Sequence, residues 1–112
     1  MKLNVKLPLI IKEREGQEKI SVQEVFLNYL MNCIHSKYPN GLDGSYRRTF
    51  GRLQNKFDEA IEKDLKNIEI ENAELDLIKN AFQDGKLPVM FSQNAMLMEK
   101  AIEECQKDES KK

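Results

Sequence analysis

Leu3, Val5 and Leu7 alternate with Lys2, Asn4 and Lys6 at the start of the chain. A period of two puts the apolar set on one face and the polar set in water, which predicts a half-buried β-strand. Pro8 has no amide to donate and limits how far that strand can pair. Leu9, Ile10 and Ile11 continue in extended form, "KEREGQEK" reads as a polar loop around Gly16, and "ISV" (20–22) is expected to return as a short second strand. The economical reading is an N-terminal β-hairpin.

From Ser21 onward the period changes to three and four. Ser21-Val22-Gln23-Glu24 has the form of a capping box, in which the serine hydroxyl and the glutamate carboxylate each accept from the other's backbone amide. Val22, Val25, Phe26, Tyr29, Leu30, Cys33 and Ile34 follow as a wide apolar face, so the first helix is expected to be deeply packed and to end near His35. Pro39, Asn40-Gly41 and Asp43-Gly44 mark the turn after it. A second helix carries Tyr46, Phe50, Leu53, Phe57, Ala60 or Ile61 and Leu65 as one continuous stripe, with Gly51 offering a close helix crossing. "NIEIEN" supplies an extended piece with Ile68 and Ile70 on one side.

A third helix is predicted from Asn72 as cap, packing Leu75, Ile78, Ala81 and Phe82. It stops at Gly85, which suits a left-handed C-terminal cap. Pro88 holds the connector "KLPVMF" extended. Ser92 is expected to cap a fourth helix whose inward side is Ala95, Met98, Ala101 or Ile102, and Cys105. Together these elements predict one α+β domain over residues 1–106, an N-terminal hairpin packed on a mostly helical body of about four helices. Residues 107–112 are expected to be a solvated C-terminal tail.

Composition sharpens this picture only in part. A chain of 112 residues with 40% hydrophobic content is long enough to bury a core and too apolar for disorder. The formal net charge of −1 gives no overall attraction to nucleic acid or to an anionic membrane. No apolar run approaches the roughly 20 residues of a membrane-spanning helix. The interrupted apolar N-terminus reads as mature protein and not as a signal peptide, so a cytoplasmic location is expected. Cys33 and Cys105 are too few and too far apart in sequence for a disulfide framework, and each falls on the apolar side of a predicted helix.

Catalytic chemistry is poorly supplied. The one histidine, His35, sits near a helix C-terminus, and Cys33-x-His35 places thiol and imidazole on different helix faces. Two scattered cysteines and one histidine do not make a zinc site, and neither a phosphate-cradling glycine loop nor a serine elbow is present. The reading is a protein that is not an enzyme and carries no catalytic residue, metal or cofactor. A helix-turn-helix spacing around Ala81 and Gly85 leads into "VMFSQNAMLM", which has no arginine or lysine and is therefore rejected as a DNA-reading helix.

Two features point to binding. Residues 35–56 hold Lys37, Arg47, Arg48, Arg52 and Lys56 against the single acid Asp43, in a chain whose totals are 18 basic and 19 acidic residues. Arg48, Arg52 and Lys56 form a four-residue ladder opposite the apolar stripe. Like charges at that spacing oppose helix stability, as do arginines at a helix N-terminus. A solvated helix face is the plainest reading of such a ladder; of the binding readings, an acidic protein partner explains it better than nucleic acid does, because three or four phosphate contacts give weak binding alone. Replacing the three ladder residues by glutamine is expected to leave stability unchanged. Met90, Met96 and Met98 make the last helix apolar on more than one side, which suits an adaptable interaction surface.

"MKLNVKLPL", "SVQEVFLNYLMN", the stretch from Tyr46 to Phe82 and "LPVMFSQNAMLMEKAIE" together resemble a set of small phage and prophage proteins of unassigned function. The likeness covers nearly the whole chain and consists of structural punctuation and hydrophobic pattern. It implies a phage setting, and hence the host cytoplasm. The expected function is a non-enzymatic accessory protein that binds a phage or host protein, as an assembly factor or a modulator, with self-association compatible. The runner-up is a weak nucleic-acid-binding or regulatory protein that uses the basic ladder.

Overall fold

The computed structural model describes residues 1–11 and 20–110, with side chains up to Cys105. Its elements are β1 (Lys2–Asn4), α1 (Val22–Lys37), α2 (Gly44–Lys63), β2 (Asn67–Glu69), α3 (Asn72–Asp84), a 3₁₀ turn (Val89–Phe91) and α4 (Ser92–Ser110). The expected polar loop, residues 12–19, lies outside the described residues. So do the side chains of the expected solvated tail, although the backbone of α4 continues helical to Ser110.

The α+β class stands, with an antiparallel two-stranded sheet on four helices, but the partner of β1 is not its neighbour in sequence. β1 pairs with β2 in the register Lys2↔Glu69, Leu3↔Ile68 and Asn4↔Asn67. The "ISV" segment does not return as a strand, because Ser21 accepts from the amide of Glu24 and Val22 opens α1. Alternation in β1 still has the expected consequence: Leu3 and Val5 are wholly buried, and Ile68 and Ile70 bury from the other strand.

α1 is the central element and packs against both α2 and α3. Phe26 sits at the middle of that packing, with ring centroids 5.5 Å from Phe57 of α2 and 6.1 Å from Phe82 of α3, the latter edge-on. In α2 the buried set is Thr49, Leu53, Phe57 and Ala60. The stripe read from sequence is thus rotated: Phe50 and Ile61 are half-buried and Tyr46 is exposed.

Two glycines do not play the roles assigned to them. Gly85 ends α3, but at φ −76° it is extended and not a left-handed cap. What demands glycine there is proximity to α1: an added Cβ would fall 2.5 Å from the carbonyl oxygen of Cys33 and 2.8 Å from its Cα, and would also strike the Ala81 carbonyl. Gly51, expected at a helix crossing, has no atom within 4 Å of its would-be Cβ. The boundaries of α3 and α4 also shift by a residue. Glu71, not Asn72, is the N-cap of α3, and Ser92 is already helical, its hydroxyl donating to the Val89 carbonyl.

The left-handed position at a helix end belongs to Asp64, the C-cap of α2 at φ 51°. Its carboxylate accepts from Lys6 Nζ and from Gln23 Nε2, each at 2.8 Å, and so links the chain after β1 to α1 and to the end of α2. Those two donors, Lys6 first, hold the carboxyl below the usual aspartate range.

The glycine assignment predicts opposite outcomes for one substitution type. Gly85→Ala should cost about 1–3 kcal/mol, because the backbone of α1 cannot give way without repacking. Gly51→Ala should stabilise by about 0.5–1 kcal/mol through helix propensity alone; urea denaturation of both variants checks the pair. A second prediction follows from Asp64. A carboxyl whose pKa is depressed on folding contributes stability above its unfolded value, near ~4, and loses it as pH falls through the folded value. Asparagine tolerates the left-handed backbone but carries no charge, so Asp64→Asn should flatten the acid side of the stability profile below about pH 4 while leaving its midpoint slope in urea unchanged.

Candidate protein-binding surfaces

The candidate residues divide into those engaged inside the fold and those left facing water. Lys56 is engaged. Its ammonium lies 2.6 Å from Oε1 of Glu74, a carboxylate with no exposure to solvent. The same oxygen accepts from the amide of Glu71 at 2.8 Å, closing the capping box of α3. Glu74 Oε2 has no hydrogen-bond partner among the described residues, so Lys56 supplies the only positive charge paired to this carboxylate there. Lys56 therefore joins α2 to α3 and is not a rung of a solvated ladder, and Glu59, three residues on, pairs with Lys63 instead.

Lys37 is also engaged, at 2.8 Å from Asp84 at the end of α3 and 5.4 Å above the Tyr38 ring. The hydrogen bond to Asp84 is the main cause that raises its pKa. Met98 leaves the candidate surface altogether: it is fully buried, because position 98 faces inward with Ala101, Ile102 and Cys105. Arg47, Arg48 and Arg52 remain exposed, and none of them forms an ion pair among the described residues.

Met90 and Met96 do face water, at 82% and 68% exposure, and sequence reading missed how much accompanies them. Val89 is 89% exposed and Ile10 is 54% exposed. Ile10 and Met90 stand at a cavity of about 360 Å³ whose other walls include Ile11, Val25, Tyr29 and Phe91. Tyr29 and Phe91 stack with centroids 4.6 Å apart. The same pair, with Val25, forms one side of a shallower hollow that runs towards Met31 and His35.

Asn94 builds the rim of this cavity. It is buried in α4, and its side chain accepts from Ile10 N at 2.8 Å while donating to Ile10 O at 2.8 Å. A further donor contact reaches the Tyr29 hydroxyl at 3.1 Å. One amide side chain thus pairs both backbone groups of Ile10, as a neighbouring strand would, and fixes that residue where its side chain projects outward. A single asparagine among Phe91, Ala95 and Met98 was the sequence signal, legible as a buried polar group that had to be satisfied.

The remaining reactive groups are placed for structure. Cys33 and Cys105 are buried free thiols. Burial, with a smaller contribution from the charge of Glu99, pushes the Cys33 thiol up to about 11, so it is a neutral thiol at physiological pH. His35 is exposed. Among the described residues no group of three His, Cys, Asp or Glu side chains could hold a metal ion, and no helix is long and apolar enough to cross a membrane.

The Lys56–Glu74 pair reverses one expectation. Lys56→Met should lose about 2–3 kcal/mol, less than for a wholly buried pair because the lysine is partly exposed, since it strands a buried carboxylate. Arg48→Gln with Arg52→Gln should stay within about 0.5 kcal/mol of the parent. Thermal or urea unfolding separates the two. Compared with known proteins, the chain matches no family model, no curated protein and no solved structure.

Proposed function

We propose that the chain is a small non-enzymatic protein that acts by binding another protein, through the exposed apolar side chains of Ile10 and Met90 at the Tyr29–Phe91 cavity and of adjacent Val89, with Met96 exposed further along α4. The observation that carries this reading is the exposure of Ile10 and Met90 at the mouth of a concave apolar site, with Val89 next to Met90 in the chain. Water-exposed apolar groups that cluster about a pocket are the common mark of a protein contact, whereas scattered ones are ordinary surface. Methionine at the rim fits varied shapes, and the cavity receives an apolar side chain of the partner. The phage setting implied by the sequence resemblance makes the partner a phage or host protein in the host cytoplasm.

Nucleic-acid binding is the second reading, and it rests on Arg47, Arg48 and Arg52 alone. With Lys37 and Lys56 engaged in ion pairs, three exposed arginines near one end of one helix would give a salt dependence with a slope of only about three charges.

The experiment is capture of the tagged protein's partner from cells that carry its phage or prophage, with a variant in which Val89, Met90 and Met96 are all serine. None of the three side chains is buried, so the variant should keep its melting temperature and lose the partner. Capture that survives the triple change, or that disappears with nuclease and with Arg48→Gln/Arg52→Gln, would overturn the apolar-face reading.

A further inference from the structure

The face of α2 turned away from the core has a pattern that the fold of one chain does not use. Its buried side carries Leu53, Phe57 and Ala60. At 100° per residue, the opposite line runs through Arg48, Asn55 and Glu62, flanked by Gly51, Arg52, Asp58 and Glu59. Arg48, Arg52, Asn55, Asp58, Glu59 and Glu62 are all exposed. The first half of this line is cationic, its middle is neutral and its second half is anionic. That order runs against the helix dipole at both ends, since arginines crowd the N-terminal half and carboxylates the C-terminal half. Gly51 lies on the same face, where an alanine would meet nothing and would improve helix propensity. Apart from the Glu59–Lys63 pair, neither the charge order nor the glycine serves the isolated chain.

We infer that this face docks a second copy of the chain, α2 against α2 in antiparallel orientation about a two-fold axis near Asn55. The pattern is self-complementary under that operation. Arg48 comes opposite Glu62 of the partner subunit, Arg52 falls on the same edge as Glu59 of the partner subunit, and each pair occurs twice, as a two-fold interface requires. Parallel docking would set arginine on arginine and glutamate on glutamate. The missing side chain at Gly51 lets the backbone of the second helix approach closely on either side of the axis. Because the face is polar, the association is weak and weakened by salt, and charge fixes its orientation more than its strength. It is independent of the apolar face at Met90, which lies on other elements.

Sedimentation equilibrium of the full chain at low and high salt tests the inference, with circular dichroism to confirm that every variant is folded. The wild type should approach twice the chain mass at low salt and the monomer mass at high salt. Arg48→Glu with Arg52→Glu should weaken self-association roughly tenfold or more. Adding Glu59→Arg and Glu62→Arg to that same chain should restore it, because reversing both halves recovers self-complementarity. The Arg48→Glu/Arg52→Glu chain mixed with a chain that carries only Glu59→Arg and Glu62→Arg should pair with it, while neither pairs with itself. Asn55→Cys should form an intersubunit disulfide under mild oxidation, with Asn80→Cys on α3 as the control that does not; the native thiols are buried and do not compete. A monomer at all salt concentrations, or a dimer indifferent to the double reversal, overturns the inference. So does failure of the fourfold variant to recover dimer.

Discussion

Phe26 has to be covered from two directions, and the rest of the molecule is arranged to do it. A ring in the middle of α1 that meets Phe57 on one side and Phe82 on the other draws α2 and α3 against the same helix. That demand sets how near α3 must come, and the carboxyl end of α3 approaches α1 so closely that only glycine fits beside Cys33. It also brings α2 and α3 together, where Lys56 neutralises Glu74 in the angle between them. The apolar faces supply most of the driving force. The buried ion pair and the glycine fix the mutual placement.

The helices were legible because each is long enough for its period to show. The N-cap at Ser21, the turn residues between α1 and α2, and the glycine after α3 all act within a few residues of the chain, and their positions read correctly to within about a turn; of the capping box expected at Ser21, the serine half forms. What escaped is what depends on a distant neighbour. β1 has only three residues, and nothing within it says that its partner is β2 rather than the next extended segment. Gly51 and Gly85 look alike in sequence, and their difference lies wholly in whether another helix passes beside them. Lys56 repeats the spacing of Arg48 and Arg52, yet a carboxylate on α3 takes it out of the exposed set.

The candidate surface shows the same division at smaller scale. Met90, Met96 and Met98 share one short stretch, but helical geometry sends Met98 inward and leaves the other two in water. Their apolar company, Ile10 and Val89, comes from opposite parts of the chain and the end of a proline-held connector. Asn94 joins those parts. By pairing both backbone groups of Ile10 it substitutes for a strand, so an apolar side chain is held outward on a segment that has no sheet of its own.

The long separation between β1 and β2 also sets an order of events. The contacts of α1 with α2, and of α2 with α3, join neighbouring segments and close short loops. The pairing of Leu3 with Ile68 closes a loop of more than half the chain, and the entropy of that closure is recovered only after the helices provide a surface to receive it. The sheet is therefore a late addition to a helical body. Its release would leave α1, α2 and α3 in mutual contact, while taking from α4 the strand it packs against and baring the apolar edge that Leu3 and Val5 cover. The small β element of this fold acts as a clasp on a helical bundle, tying the start of the chain to the segment between α2 and α3 and to α4.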